Sequence, residues 1–319
     1  MKLTHVVVAI ASVFLSVAAI AEKKIVAYVP NWIDLKSFSE KIDFKSLTHI
    51  DLAFENPDKN DELSFNKADE FLIAKARANH VSILLSIGGG SASTDKTLRA
   101  RYTKLLGDSQ RAAFVKHISQ YLTKHEFDGL DVDIEGPAID KNYGAFISAL
   151  AKELKPKKLL LTAAVSKGYG GDKIADATLG EFDLVNIMAY DGKGSWNAND
   201  PGQHSSLEFA KENVTYWLGR GVAKNKAVLG VPFYGYGFGK AFRKSPYSYK
   251  EILAANPGAE KVDQIGSTIW YNGIPTIKAK TQYVIDQDLA GMMIWSLDND
   301  GPGEKSLLSA MAGLLKPRP

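Results

Sequence analysis

Short apolar runs recur along the chain, and longer segments with a different spacing of apolar residues separate them. Eight of these runs are five to seven residues long and largely continuous in apolar residues, which is typical of strands buried on both faces. The predicted strands cover residues 25–30, 49–54, 82–87, 129–135, 159–165, 184–190, 227–231 and 291–295.

The intervening segments predict helices. Apolar residues recur at i, i+3 and i+4 over residues 68–78, 110–124 and 142–154. Ser205 and Glu208 match a capping box and predict the start of a further helix, which ends near Gly219. Eight alternations of strand and helix favour a closed (β/α)8 TIM barrel, an α/β fold, and a doubly wound open sheet is the alternative.

One predicted strand carries an unusual set of carboxylates. Residues 127–135 read Phe-Asp-Gly-Leu-Asp-Val-Asp-Ile-Glu, so Asp131, Asp133 and Glu135 alternate with apolar residues. This period places three carboxylates on one face, where they repel each other and resist burial. A polar edge strand would carry mixed charges, so the pattern favours catalytic acids. Asp128 has a different spacing, and we expect it to take a structural hydrogen-bonding role close to the site.

Polar residues also cluster where four of the predicted strands end. In a barrel of this type, active sites lie at the carboxyl ends of the strands. The four clusters are Ser86-Ile87-Gly88-Gly89-Gly90, Glu135, Met188-Ala189-Tyr190-Asp191 and Trp295-Ser296-Leu297-Asp298. Their coincidence predicts one site at that end of the barrel.

These motifs resemble those of the family 18 glycoside hydrolases, the chitinases and their relatives. The run at 128–135 is similar to the acidic signature of that family, and the clusters on strands three, six and eight are similar to its motifs there. Gly230-Val231-Pro232-Phe233-Tyr234-Gly235 resembles its strand-seven motif. The resemblance extends from Ile25 to about Asp300.

The resemblance implies a retaining mechanism in which the 2-acetamido oxygen of the substrate attacks the anomeric carbon. Glu135 would be the general acid and later the general base. Asp133 would hold the acetamido N–H, and the deeper Asp131 would share a proton with Asp133. Tyr190 would donate a hydrogen bond to the acetamido oxygen, and Asp191 would help to orient the same group.

Further side chains are expected to contact the sugar. Trp295 would form the apolar floor under it, with Met188 nearby. Ser86 would support the acidic pair from the neighbouring strand, or would simply pack as a small residue. Three aromatic residues could either line the cleft or pack a loop, and they are Tyr28, Trp32 and Trp196.

The sequence departs from the family pattern at two places. Many relatives carry Arg after the strand-seven Tyr-Gly pair, and Tyr236 stands here. Many relatives also insert an α+β subdomain before strand eight, whereas only residues 236–290 lie in that interval. We therefore expect a short insertion, an open groove, and endo-acting, non-processive cleavage by a single catalytic domain over residues 22–319.

The N-terminus and the composition bound the setting of the protein. Lys2, an apolar run over residues 6–20 and Ala19-Ile20-Ala21 predict a signal peptide over residues 1–21, with an uncleaved membrane anchor as the alternative. The expected location is secreted or periplasmic, with no membrane association after cleavage. A net charge of +3 argues against a nucleic-acid partner.

No cofactor or metal is expected. The chain has no cysteine, and its six histidines show no metal-ligand spacing. We expect His125 and His204 to be surface or loop residues. The absence of cysteine also means that stability must come from a packed core rather than from disulfides.

Three functions remain open from the sequence. The first is an exported chitinase acting as a monomer on β-1,4-linked N-acetylglucosamine, in polymer or oligosaccharide form. The second is an endo-β-N-acetylglucosaminidase that releases N-glycans by the same chemistry; the Met-Ala-Tyr-Asp motif resembles chitinases more closely. The third is a non-catalytic chitin-binding lectin, which the presence of Glu135 disfavours.

Overall fold

The structure is a computed structural model that describes residues 22–63 and 65–315. The signal peptide predicted for residues 1–21 lies outside the described residues.

Twelve strands lie within the described residues, and eight of them close into a barrel. Their bounds are β1 Lys24–Pro30, β2 His49–Ala53, β3 Ser82–Gly88, β4 Gly129–Asp133, β5 Leu160–Val165, β6 Leu184–Ile187, β7 Ala227–Pro232, β8 Tyr234–Gly237, β9 Tyr247–Ser248, β10 Gln264–Ile265, β11 Ile269–Trp270 and β12 Gly291–Trp295. The barrel strands are parallel throughout and follow the order β1-β12-β7-β6-β5-β4-β3-β2. The predicted (β/α)8 barrel is therefore confirmed, and the open sheet is excluded.

Helices connect the barrel strands on the outside. Their bounds are α1 Leu35–Ser39, α2 Asp69–Ala78, α3 Gly89–Thr94, α4 Lys96–Leu106, α5 Arg111–Lys124, α6 Tyr143–Leu154, α7 Asp176–Leu179, α8 Leu207–Gly219, α9 Tyr249–Ala255, α10 Ile274–Asp286 and α11 Leu307–Leu315. Within the described part of the chain, none of these helices has the length and apolar character needed to span a bilayer.

Alternate side chains of each strand enter two separate apolar clusters. On β3, Ile83, Leu85 and Ile87 belong to the large cluster between the barrel and its helices. Residues such as Val26 and Met293 belong to a smaller cluster that fills the barrel interior. Each fully buried aliphatic side chain contributes roughly 1.5–3 kcal/mol to folding, so the outer cluster supplies the main stabilisation of a chain without disulfides.

Two strands that lead into the predicted site are shorter than the sequence pattern suggests. β4 ends at Asp133 and not at Glu135, and β6 ends at Ile187 and not at Tyr190. The chain after β4 enters a short 3-10 turn with Pro137 near its start, and Asp191 after β6 has a left-handed backbone. Both segments leave the hydrogen-bonded ladder where they form the upper rim of the barrel.

The capping box predicted at Ser205 and Glu208 was wrong. The helix α8 starts at Leu207, and Ser206 is its N-cap, because the Ser206 side chain accepts a hydrogen bond from the Phe209 N–H. The Ser205 hydroxyl instead donates to the carbonyl oxygen of Ala189. Three other predicted helices correspond to α2, α5 and α6.

The segment between β7 and α10 forms a second, smaller sheet. Its four antiparallel strands have the order β10-β11-β8-β9, and helix α9 follows β9. Tyr236 on β8 pairs with Trp270 on β11. This small sheet places the tyrosines of β8 beside the carboxyl end of the barrel, where their side chains join the interior cluster.

Candidate active site

Asp131 lies on β4 inside the barrel, fully buried among hydroxyl groups. One carboxylate oxygen accepts hydrogen bonds from Tyr28 Oη at 2.8 Å and from Ser86 Oγ at 2.7 Å. The other oxygen accepts from Thr162 Oγ1 at 2.7 Å. Burial raises the pKa of Asp131, and the hydroxyl donors oppose that rise. These donors come from β1, β3 and β5, and together they favour the ionised form of this carboxyl group.

Asp133 lies two residues further along β4 and has a different environment. Its Oδ1 atom is buried and has no hydrogen-bond partner among the described residues. Burial, and after it the charges of Glu135 and Asp131, raises the pKa of Asp133 well above its ordinary value. We infer that, of Asp131 and Asp133, Asp133 is the more readily protonated.

The close approach of β3 to β4 at this point requires glycine. Gly88 stands opposite Asp133 in the sheet register and has φ +108°. A Cβ atom at Gly88 would lie 2.3 Å from the Asp133 carbonyl oxygen. The glycine-rich strand-three motif therefore sets the position of the Asp133 backbone, while its Ser86 contacts Asp131.

Glu135 follows β4 with an extended backbone, so the period of two continues and its side chain stays on the face of Asp133. The side chain is half-buried. Burial, and after it the charge of Asp191, raises the pKa of Glu135 to about 7. A carboxyl group with that pKa can donate a proton and accept one again at neutral pH.

Asp191 is held by hydroxyl groups and by a histidine at the end of strand six. Tyr234 Oη donates to its Oδ1 atom, and Tyr236 Oη donates to the same oxygen at 3.0 Å. The Asp191 N–H donates to Nδ1 of the buried His204 at 3.4 Å. These contacts fix the left-handed turn at Asp191 and therefore the direction of its carboxylate.

Tyr190 precedes that turn, and its hydroxyl group has only a weak hydrogen-bond acceptor. The ring is buried against Tyr234, and the hydroxyl lies 3.9 Å from the sulfur of Met293. Burial raises the pKa of Tyr190, so the phenol stays protonated. Sulfur is a weak acceptor, and a stronger acceptor entering the site would therefore capture this hydrogen bond.

Aromatic rings form the floor of the open end. Trp295, at the end of β12, stacks on Phe54 with ring centroids 5.6 Å apart, and Tyr28 contacts Trp295 edge-on at 5.4 Å. Trp32 continues the row at 6.3 Å from Phe54 and is 64% exposed. On the opposite side, Trp196 is 63% exposed and meets Tyr236 edge-on. Exposed rings in a row are suited to the apolar faces of sugars.

The structure brings most of the predicted site residues to one end of the barrel. They are Asp131, Asp133, Glu135, Ser86, Met188, Tyr190, Asp191, Trp295, Trp32 and Trp196. Tyr28 needs a correction, because it neither lines the cleft nor packs a loop. It occupies an inward position of β1, is fully buried, and donates its hydroxyl proton to Asp131.

Two further expectations hold only in part. His204 lies in the loop before α8, as one alternative expected, but it is buried beside Asp191 and is not a surface residue, because its ring fills the space next to Tyr234 and Tyr236. Asp128 makes the expected structural hydrogen bond, since its carboxylate accepts from the Ile83 N–H, but it does so at the amino ends of the strands, away from the site.

Several site residues were not found from the sequence. Asp51 on β2 is buried, and its carboxylate accepts from Asn186 Nδ2 at 3.3 Å. A single charge inside an apolar strand was a usable signal for Asp51. Tyr234 lies in the strand-seven motif, but its contact with Asp191, like that of Tyr236 and the position of Phe54, has no local sequence signal, because it depends on the packing of other elements.

The described residues contain no group of three His, Cys, Asp or Glu side chains arranged to hold a metal ion. An open depression of about 750 Å³ lies at the other end of the barrel, near Phe127 and Leu159. The carboxylates, the phenols and the aromatic floor thus define the site, and they form an acid-based carbohydrate site on a (β/α)8 barrel.

The comparisons with known proteins agree with this class. The family model for glycosyl hydrolases family 18 matches residues 24–300, and the chain belongs to that family. The structure is similar to that of the GH18 chitinase ChiB from the chitin utilization locus of Flavobacterium johnsoniae, with 38% identity and a TM-score of 0.84 over 92% of this chain and 94% of that chain.

Two other relatives show the range of the fold. Chitotriosidase-1 of Mus musculus is 29% identical over 87% of this chain and 73% of its own length. Human YKL-39, described as a pseudo-chitinase with retained chitooligosaccharide binding properties, shares the fold with a TM-score of 0.77 and 24% identity over 92% of this chain and 99% of that chain.

Proposed function

We propose that this protein is an exported chitinase that hydrolyses β-1,4-linked N-acetylglucosamine chains by substrate-assisted, retaining catalysis. One observation carries the proposal. A buried carboxyl group with an unpartnered oxygen, Asp133, lies on the same strand face as Glu135, whose pKa is about 7. This pair suits a substrate that brings its own N–H donor and its own nucleophile.

In the first step, Glu135 donates its proton to the glycosidic oxygen. The bond from the anomeric carbon to that oxygen breaks while the acetamido carbonyl oxygen forms a bond to the anomeric carbon, which gives an oxazolinium-type intermediate. In the second step, Glu135 accepts a proton from water, and the water oxygen displaces the acetamido oxygen. Two displacements at the same carbon retain its configuration.

Asp133 and Tyr190 would hold the nucleophile. The unpartnered Oδ1 of Asp133 can accept the acetamido N–H, and the Tyr190 hydroxyl can leave its weak sulfur contact to donate to the acetamido oxygen. The hydroxyl groups around Asp131 favour the charged form of this deeper carboxylate, which would leave the shared proton on Asp133. Orientation of this kind supplies much of an intramolecular rate advantage.

The anomeric form of the first product tests the mechanism. Proton NMR taken early in the digestion of N-acetylglucosamine oligosaccharides is expected to show the β-anomer. Asp133→Ala is expected to lower turnover strongly, because the side-chain oxygen that would accept the acetamido N–H is removed and the acetamido group is no longer held for attack. An α-anomer as first product, or near-normal turnover of this variant, would contradict substrate assistance.

The open row of aromatic residues supports endo-acting, non-processive cleavage. Trp32 and Trp196 lie on the two sides of the site and are mostly exposed, so no wall encloses the chain at these rings. On crystalline chitin, we expect product ratios of a non-processive enzyme. A strong excess of the disaccharide would contradict this part of the proposal.

We also propose that a signal peptide ends at Ala21 and that residues 22–319 act as one monomeric catalytic domain in the periplasm or outside the cell. N-terminal sequencing of the exported protein and its elution volume test these two points. A start at Met1 or a dimer would overturn the corresponding point.

Two other functions are candidates for this site, a non-catalytic lectin and an N-glycan hydrolase. The likeness to YKL-39 supports binding without hydrolysis as a possibility for the fold, but the acid Glu135 and its raised pKa favour hydrolysis. Release of N-glycans from a glycoprotein, with intact chitin oligosaccharides, would favour the N-glycan hydrolase.

A further inference from the structure

Lys280, on α10, is fully buried although its side chain is cationic. Its ammonium group donates three hydrogen bonds of 2.7 Å, to the carbonyl oxygen and Oγ of Ser205 and to Oδ1 of Asn272. All three acceptors are neutral, and no ion pair within the described residues includes Lys280. Burial lowers the pKa of Lys280 to about 7, and the charges of Asp263 and Glu208 oppose that only in part. A buried cation without a carboxylate partner is costly.

The protonation state of Lys280 decides where the Ser205 hydroxyl proton points. An ammonium group has three donors and no acceptor, so the Ser205 hydroxyl cannot donate to it. That hydroxyl therefore donates to the carbonyl oxygen of Ala189, at 2.6 Å. A neutral side chain at position 280 would leave the hydroxyl free to turn away from Ala189.

Ala189 begins the turn that carries Tyr190 and Asp191. The other end of this turn is held by the residue next to Ser205, because the Gly192 N–H donates to the His204 carbonyl oxygen at 2.9 Å. His204 and Ser205 thus hydrogen-bond to both ends of residues 189–192. Lys280 in turn hydrogen-bonds to Ser205 and holds it in place.

We propose that Lys280 is a positioning residue whose ammonium group, acting through Ser205, holds residues 189–192 in the arrangement that presents Tyr190 and Asp191 to the substrate. This inference deepens the proposed function and rests on it. Lys280 itself does not touch the reacting atoms. Its effect should therefore fall on turnover more than on substrate binding.

Lys280→Met tests the proposal, with Lys278→Met as its matched control. Lys278 lies on the same helix and is exposed. Turnover of N-acetylglucosamine hexamer should be measured at about pH 6, below the pKa of Lys280, where the ammonium form dominates. Hydrogen exchange of the peptide that covers residues 189–192 should be followed by mass spectrometry on the same proteins.

We expect Lys280→Met to lower kcat at least roughly tenfold with a much smaller change in KM, and to speed exchange at residues 189–192. Ser205→Ala, which keeps the cation and removes only the hydroxyl, should do the same. The double variant should be no slower than Lys280→Met alone, because both substitutions break the same connection from Lys280 through Ser205 to Ala189.

Turnover and exchange of Lys280→Met equal to those of Lys278→Met would overturn the inference, and so would additive effects in the double variant. If Lys280→Met does not fold, Ser205→Ala alone decides, and wild-type values for it would refute the linkage. A wild-type protein that does not cleave the hexamer would refute the proposed function instead. The exchange of residues 189–192 would then decide the inference by itself.

Discussion

At the scale of single residues, the environment of each carboxylate assigns its role. Asp131 has three hydroxyl donors that favour its ionised form, Asp133 has an unpartnered oxygen, and Glu135 is half-buried with a pKa raised to about 7. Asp191 contributes to that last value through its negative charge. The three acids of this alternating run thus differ because different groups surround them.

The pH profile of Asp191→Asn tests this assignment. Glu135 acts first as an acid, so kcat/KM of the wild type should fall as the pH rises through about 7. Removing the Asp191 charge lowers the pKa of Glu135, so the alkaline limb should move to lower pH by roughly half to one unit. Asp200→Asn, an exposed change in the same loop, serves as the control. An unmoved or upward-shifted limb would contradict the coupling.

A site residue could be predicted from the sequence only when the residues next to it in the chain form a distinctive pattern. The site could be predicted from Asp131, Asp133 and Glu135, because charges that alternate with apolar residues have no structural use. The contacts of His204 and Tyr236 with Asp191 could not be predicted, because each of these residues reaches Asp191 from another segment of the chain. Tyr28 was misread because the sequence placed it near a strand end but not at its depth inside the barrel.

At the scale of elements, the register between β3 and β4 positions the acids. The strand-three motif brings Gly88 against the Asp133 carbonyl group and Ser86 against the Asp131 carboxylate. The sequence predicted the existence and order of the barrel strands because their apolar runs are continuous. It overran the ends of β4 and β6, since the residues beyond these ends keep a strand-like pattern while they turn into the site.

Gly88→Ala tests the importance of this register. The residue has φ +108° and no room for a Cβ atom, so the substitution should lower the free energy of unfolding by at least about 2 kcal/mol and reduce turnover. Urea denaturation and hexamer cleavage measure the two effects.

Gly90→Ala is the matched control for that experiment. A Cβ atom at Gly90 has no neighbour within 4 Å, and the residue lies in α3, so the substitution should change stability by no more than about 1 kcal/mol in the stabilising direction. Equal effects of the two substitutions would mean that the approach of β3 to β4 is not restrictive.

At the scale of the whole molecule, buried titratable groups make stability depend on pH. Glu55 and Asp69 face each other in a buried pair, and burial raises their pKa values to about 8 and about 6. In the unfolded chain both ionise near pH 4. The folded state therefore binds more protons between these values, and stability falls as the pH rises. The pKa of Lys280 is lowered to about 7 in the folded state, so above pH 7 the unfolded chain holds more protons at this residue. Lys280 therefore makes stability rise with pH in that range.

We expect the free energy of unfolding to decrease from about pH 5 to about pH 7, at up to roughly 1.4 kcal/mol per pH unit for each extra proton held. Glu55→Gln should reduce this slope, because it removes one of the buried ionisations. Glu304→Gln, an exposed change, should leave it as it is. Urea titrations across this range give the slopes, and stability that rises with pH in the wild type would contradict the account.

Hydrolysis by Glu135 is tested by incubating N-acetylglucosamine hexamer with the purified protein and with its Glu135→Gln variant, and by identifying the early products by mass spectrometry. We expect cleavage by the wild type, a loss of roughly 10²–10⁴-fold in the variant, and hexamer binding by both proteins. The fully deacetylated hexamer should stay intact, because it lacks the acetamido nucleophile. An intact N-acetylated hexamer with the wild type, or equal cleavage by both proteins, would contradict the account.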